Sequence, residues 1–565
     1  MESSPTLLLL LLLTTLLSLQ TFVVVSHTLS NSSSSSICKT TPDPTFCKSI
    51  LPNATHGDVH VYGRFSLRKS LSQSRKFIRV IDKYLRRNAH LSQTAVGALQ
   101  DCRFLAGLTI DYLLTSFEAV NSTSETLTLP KADDVQTLLS AALTNEQTCL
   151  DGLTSASATW TVRNGVVLPL VDDTKLYSVS LALFTRGWVP KKKKRVGFSW
   201  IHTNEASHKP FRVFRNGALP LKMTERTRAV YESVSRRKLA GEDNNGTVMV
   251  SDIVTVSQDG SGNFSTISDA VAAAPNNTDG RNGYFLIYVT AGIYEEYVSV
   301  AKNKRFLMMV GDGINRTVIT GNRSVVDGWT TFNSATFAVV APNFVAVNIT
   351  FRNTAGPEKH QAVALRSGAD LSIFYSCSFE AYQDTLYTHS LRQFYRGCDI
   401  YGTVDFIFGN AAVVFQNCNI YPRRPMQNQF NAITAQGRTD PNQNTGTSIH
   451  NCTVRPADDL VYKVKTYLGR PWKEYSRTVY MQSYIDGVVE PIGWREWNGD
   501  FALSTLYYAE YNNTGPGSNT INRVNWTGYH VINSTDAANF TVSSFLLGDD
   551  WILQSGVPYS GGLLP

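Results

Sequence analysis

Two acidic side chains stand where acid is costly. Asp384 lies among Tyr382, Leu386 and Tyr387, and Asp405 among Val404, Phe406, Ile407 and Phe408. A carboxylate in such β-forming, apolar surroundings is destabilising unless it is paired or put to use. The two are 21 residues apart, and Gln361 precedes Asp384 by 23. Near-equal steps of this size suggest a coiled solenoid with one turn per roughly 20–25 residues. Gln361, Asp384 and Asp405 would then fall on consecutive rungs about 4.8 Å apart. Two carboxyls and an amide would converge on one patch, which suits acid/base and nucleophilic work.

The chain around that patch is β-rich. From Ile253 onward, short β-branched and aromatic runs alternate with Gly, Asn and Asp, as at 284–289, 306–310, 344–351, 371–374, 413–415 and 478–481. A small polar residue followed by an apolar end recurs at 348–351, 377–379, 398–400, 418–420 and 452–454. It reads as one rung position repeated, and predicts an all-β, right-handed parallel β-helix over 251–565. A β-sandwich or propeller is the alternative.

Residues 30–185 read differently. Segments such as 67–84 and 135–153 place apolar residues at three- and four-residue steps without a helix breaker until their ends. They predict an all-α, up-and-down four-helix bundle. A basic linker, 186–250, follows, with Lys191, Lys192, Lys193, Lys194 and Arg195 near its start. A solvated linker accounts for this run better than nucleic-acid binding does. Inside it Arg236, Arg237, Lys238 and Leu239 form an exposed, polar, cleavable setting before Gly241. Residues 1–26 read as a secretory signal, with a Leu-rich core at 7–17 but no basic n-region, so an uncleaved anchor is the alternative. Fourteen N-x-S/T sequons fit a secretory route.

Charge is unevenly distributed. Residues 1–239 hold 30 Lys and Arg against 17 Asp and Glu, a net +13, and residues 240–565 hold 22 against 28, a net −6. Opposite signs favour association of the two halves at low salt. Eight cysteines divide into the same halves, with no C-x-x-C pair to suggest zinc or redox chemistry. Cys38 and Cys47 span a Pro-containing turn and predict a short disulfide, leaving Cys102 with Cys149. Cys398 and Cys418 are one expected rung apart, within the Cα range of a disulfide, and are expected to pair. Cys377 and Cys452 read as small buried hydrophobes.

Four blocks carry a resemblance: G-P-E-K-H-Q-A-V-A-L-R at 356–366, Y-Q-D-T-L-Y at 382–387, G-T-V-D-F-I-F-G at 402–409 and Y-L-G-R-P-W at 467–472. Together they resemble the signature blocks of plant pectin methylesterases, over roughly 250–560. The helical region with its four cysteines resembles the inhibitor-like pro-domain of these enzymes, with Val179 in L-Y-S-V-S-L-A-L where the family usually has Asn. The resemblance implies hydrolysis of galacturonate methyl esters in pectin, releasing methanol, in the cell wall. By it Asp405 matches the nucleophile, Asp384 the proton donor and base, and Gln361 and Gln383 the oxyanion donors. Arg470 matches the arginine that orients Asp405. Thr336 and Trp472 match substrate contacts, with Tyr387, Phe408 and Trp494 as further ring faces for sugars. Methyl-esterified homogalacturonan is the implied partner, with the chain's own pro-domain before cleavage and separate inhibitor proteins. No nucleic acid, metal or organic cofactor is implied, since side chains fill every role.

Other readings are weaker. A serine esterase lacks its G-x-S-x-G elbow. A pectate lyase or polygalacturonase would share the fold, but the four blocks belong to neither. A purely inhibitory or wall-binding protein would require a degraded patch, and all five active-site positions match.

Overall fold

The computed structural model describes residues 34–565 except 53–56, 88–90, 157–161, 192–220, 223–228, 230–247 and 462–463. The signal segment, most of the basic linker and the Arg236, Arg237, Lys238, Leu239 site lie outside the described residues.

The N-terminal half is an antiparallel four-helix bundle: α1 (Val59–Arg86), α2 (Gln93–Asn121), α3 (Leu129–Ser155) and α4 (Leu168–Trp188). Asp58 accepts from the Val61 amide to start α1, and Ser92 accepts from Ala95 to start α2. Both are side-chain N-caps for amides without helical partners. Leu67, Leu113, Leu139, Leu143, Leu181, Phe184 and Trp188 fill one end of the bundle. Gly63 admits Trp188 there, because a Cβ would come within 2.6 Å of the indole. Cys38–Cys47 and Cys102–Cys149 are disulfide-bonded; the second ties α2 to α3.

The C-terminal half is a parallel β-helix. Among the described residues its strands form three parallel sheets of twelve, eight and seven strands. One coil runs Leu365–Ser367, Ser372–Tyr375 and Ser378–Glu380, then begins again at Leu386–Thr388. The recurring polar-then-apolar motif is one register position: Phe351, Phe379, Ile400, Ile420 and Val454 pair in succession. Asn348, Ser376, Asn417 and Asn451 turn the corner before it with positive φ, a region Asn enters at little cost. Inside the coil, Phe374, Tyr395 and Phe415 stack at 4.8 and 4.6 Å between ring centroids. Each such pair contributes roughly 0.5–1.5 kcal/mol beyond its burial.

The expected Cys398–Cys418 disulfide is absent. All four cysteines of this half are free and buried. Register explains it: stacked rungs carry their side chains side by side, so neighbouring thiols point the same way instead of at each other. Each thiol reaches back to a carbonyl of the preceding rung, Cys398 to Phe374 at 3.3 Å and Cys452 to Phe415 at 3.4 Å. Alkylation in denaturant without reductant should therefore label Cys377, Cys398, Cys418 and Cys452 and spare the other four. A non-reduced peptide linking Cys398 to Cys418 would contradict the ladder.

The charge asymmetry also resolves differently. Residues 30–185 carry 15 basic and 13 acidic side chains, a net of only +2; residues 186–239 carry 15 against 3. The positive excess thus belongs to the linker, and bulk charge does not hold the bundle to the coil.

Candidate active site

The seven-stranded sheet carries the chemistry. Its strands are β1 (Val298–Val300), β2 (Phe337–Val339), β3 (Leu365–Ser367), β4 (Leu386–Thr388), β5 (Ile407–Gly409), β6 (Asn431–Gln436) and β7 (Thr466–Gly469). Leu386 pairs with Ile407, so Asp384 and Asp405 occupy the same place in the turns before β4 and β5. Both turns need a left-handed residue, and Asp supplies it at φ 64° and 53°. Left-handed non-glycine residues cost energy that packing must offset, and they cluster at functional sites. The Asp384 amide donates to the Val404 carbonyl at 3.1 Å, locking one turn on the next.

Arg470, just after β7, grips Asp405 with both arms: Nε to Oδ1 at 2.8 Å and Nη2 to Oδ2 at 2.7 Å. This fork-on-carboxylate geometry is the strongest form of the pair. The guanidinium is held flat by Trp497, 4.1 Å to the ring centroid, and by Phe430 at 5.1 Å. Its backbone amide donates to Thr434 in β6. Among the described residues no cation forks Asp384 in this way. Burial pushes its carboxyl well above the usual range, the Asp405 charge adds to the rise, and Arg470 only partly offsets it. The two carboxyls thus sit in unlike surroundings, Asp405 in the arginine fork and Asp384 buried with its carboxyl raised.

Gln361 and Gln383 flank the pair. The Ala362 amide donates to the Gln383 carbonyl, so the two segments run on neighbouring rungs. Gln361 is not in line with Asp384, however: with Leu365 opposite Leu386, Val363 faces Asp384 and Gln361 lies two residues earlier. Both glutamines are half-buried. Beyond them runs an aromatic wall. Tyr387 and Phe408 are register partners stacked at 4.2 Å, and Trp472 meets Phe408 edge-on at 5.9 Å. Gly437 makes room for Trp472, since a Cβ there would fall 2.8 Å from the indole.

The helical bundle sits on this wall. Tyr387, Phe408, Val363 and Ala435 share one apolar cluster with Ala98, Leu99, Cys102 and Leu105 of α2 and Leu153 of α3. Polar contacts ring it: Thr148 with His389 at 3.0 Å, Asn410 to Thr144 at 2.9 Å and Gln443 to the Ser140 carbonyl at 2.9 Å. The remaining gap, lined by Thr144, Thr148, Tyr387 and Trp472 among others, is about 10 Å³, room for roughly one water. The ion pairs across the contact set bundle acids on coil bases: Asp133 and Asp134 on Arg392, Asp151 on Lys473, Asp111 on Lys302. Their polarity is the reverse of the net charges of the two halves.

A family model described as pectinesterase matches residues 253–549, more than half of the chain. The chain belongs to the pectinesterase family. A second model, plant invertase/pectin methylesterase inhibitor, matches 32–183. Probable pectinesterase/pectinesterase inhibitor 7 of Arabidopsis thaliana is 77% identical over 97% of both chains. Pectinesterase 2 of Citrus sinensis is 49% identical over 83% of this chain and 82% of its own. Among solved structures, pectin methylesterase from carrot is 53% identical with a TM-score of 0.54, covering 57% of this chain and all of that one. As a pectinesterase the chain is a carboxylic ester hydrolase acting on pectin.

Two expectations about this pectinesterase's substrate contacts need correction. Trp494 is fully buried, stacked on Tyr508 at 4.2 Å with its N–H on Glu510, so it packs the coil and offers no face to a sugar. Thr336 is fully buried too, and its hydroxyl donates to the Arg352 carbonyl at 2.9 Å. Trp497, three residues after Trp494, is not among the expected residues; only its contact with Arg470 reveals it. Val179 packs with Ile37, Cys38 and Leu183 in a cluster separate from the docking face, so that departure from the family block leaves the contact untouched.

Proposed function

We propose that this pectinesterase attacks the galacturonate methyl ester with Asp405. A carboxylate oxygen adds to the ester carbonyl, and the side-chain amides of Gln361 and Gln383 stabilise the oxyanion. The tetrahedral intermediate collapses, Asp384 gives its proton to the departing methoxide, and methanol leaves an acyl anhydride on Asp405. Asp384, now a carboxylate, takes a proton from water, which attacks the anhydride and frees Asp405 and the product acid. The observation that carries this reading is the split between the carboxyls: Asp405 in the Arg470 fork, Asp384 buried with no such fork among the described residues. Trp472, Tyr387 and Phe408 offer ring faces to the sugars. Methanol release from methylated pectin, with and without chelator, tests it; loss of activity in chelator would overturn a mechanism built from side chains alone.

The uncut chain is held inactive by its own bundle, on this reading, because the bundle buries the aromatic wall. It is exported through the secretory route to the cell wall and cut after Leu239. Separate inhibitor proteins of the bundle's family would occupy the same wall. While tethered, the bundle acts at high effective concentration; once cut, the contact becomes bimolecular. Its apolar core makes dilution more effective than salt in separating the parts, since salt screens only exposed pairs. Asp101 adds a pH dependence. Buried against Thr330 and Asn333, its carboxyl rises to about 7, mainly by burial and against the pull of Arg366, the charged group that faces it. Docking takes up this proton below about pH 7, but it also buries His389 against Thr148, and burial lowers that imidazole to about 3, so the two groups pull the pH dependence of docking in opposite directions. Methanol release by cut protein should rise on dilution. Equal activity of cut and uncut chains at every dilution would contradict occlusion.

A further inference from the structure

At the edge of the docked face, residues 322–329 and 354–359 enclose an open pocket of about 390 Å³, lined by Asn322, Arg323, Asp327, Trp329, Thr354 and Lys359 with Ala355. That volume suits a sugar unit. The Arg323 guanidinium lies between two rings, 3.6 Å from the Tyr297 centroid and 3.8 Å from that of Trp329. Stacking takes its faces and leaves its N–H edge for an acceptor. No described acid pairs with it, whereas Lys359 opposite is held by Asp327 at 2.5 Å. A rigid, half-buried guanidinium edge without a carboxylate, beside a second cation, is matched by a planar anion.

We propose that this pocket binds the free carboxylate of an unesterified galacturonate in the same polymer, an inference that rests on the pectin reading above. The site neighbours the reaction centre: the Val325 amide donates to the Gln361 carbonyl at 3.0 Å, and Lys359 is two residues from Gln361. It also stays open in the uncut chain. No described bundle residue lines it, although Thr94 reaches the Gly328 carbonyl in its outer wall and Asp101 holds Thr330 just beyond. Esterification removes the charge that Arg323 would recognise, so the pocket selects polymer that has already lost methyl groups. The precursor can thus hold pectin while its cleft is covered.

The test is calorimetric titration of the full-length chain, prepared without N-glycans so that the Asn322 sequon is bare. The titrants, at fixed ionic strength, are unmethylated hexagalacturonate, its fully methylated counterpart and inorganic sulfate. The unmethylated hexamer alone is expected to bind well, with Arg323→Ala weakening it at least about tenfold, the loss of a charged hydrogen bond. Arg323→Lys, which keeps the charge and loses the fork, should also weaken it, and Lys359→Ala serves if the Arg323 variants do not fold. Equal binding of both hexamers, unchanged affinity in these variants, or equal competition by sulfate would overturn the proposal. Methanol release is measured on the same preparation after cutting. Activity without hexamer binding sinks the pocket alone, whereas absent activity sinks the pectin reading on which it rests.

Discussion

Asp405→Asn is expected to lower kcat for methanol release by about 10³-fold or more, as removal of a nucleophile does. The amide keeps the shape and one acceptor for Arg470 but cannot form the anhydride. It also leaves the guanidinium, packed between Trp497 and Phe430, without its full countercharge. A stability loss of about 1–3 kcal/mol should accompany the kinetic one, the usual range for a buried charged group that loses a partner. The thermal midpoint separates the two effects: a folded variant with a slightly lower Tm and no turnover fits the assignment. Turnover within tenfold of wild type would not.

Asp384→Asn should cost about 10²–10⁴-fold, the scale of a lost general acid, and should change the pH profile as well. Asp384 must be protonated to expel methanol, and burial with the Asp405 charge holds it protonated above the usual carboxylate range. kcat/KM is therefore expected to fall as pH rises through that elevated value. The residual activity of Asp384→Asn should lack this limb, because its amide does not titrate. A variant that kept both the rate and the limb would assign the proton to another group.

The sequence revealed the site unevenly, and the reasons are physical. A 21-residue step places Asp384 and Asp405 on successive rungs because equal coils bring equal positions into register. Gln361 sits two residues off that line, since a step of 23 includes loop residues that never enter a strand. The two tryptophans of W-R-E-W could not be ranked by composition. Trp494 enters the coil and Trp497 lies over Arg470, a difference set by backbone direction in a stretch without regular strand pattern. Cys398 and Cys418 lie at disulfide-compatible spacing, yet spacing says nothing of side-chain direction, and rungs stack side chains in parallel. Net charge misled for a similar reason. It sums over residues 186–239, whereas the docked face is an apolar cluster ringed by a few acids of α2 and α3 set on Arg392, Lys302 and Lys473.

The covalent role of Asp405 is tested most directly by acid-quenching cut enzyme during turnover on methylated oligogalacturonate and weighing its peptides. The peptide containing Asp405 is expected to carry the mass of one galacturonoyl chain, at early times only, and the Asp405→Asn protein should carry none. An acyl group on any other residue would contradict the assignment.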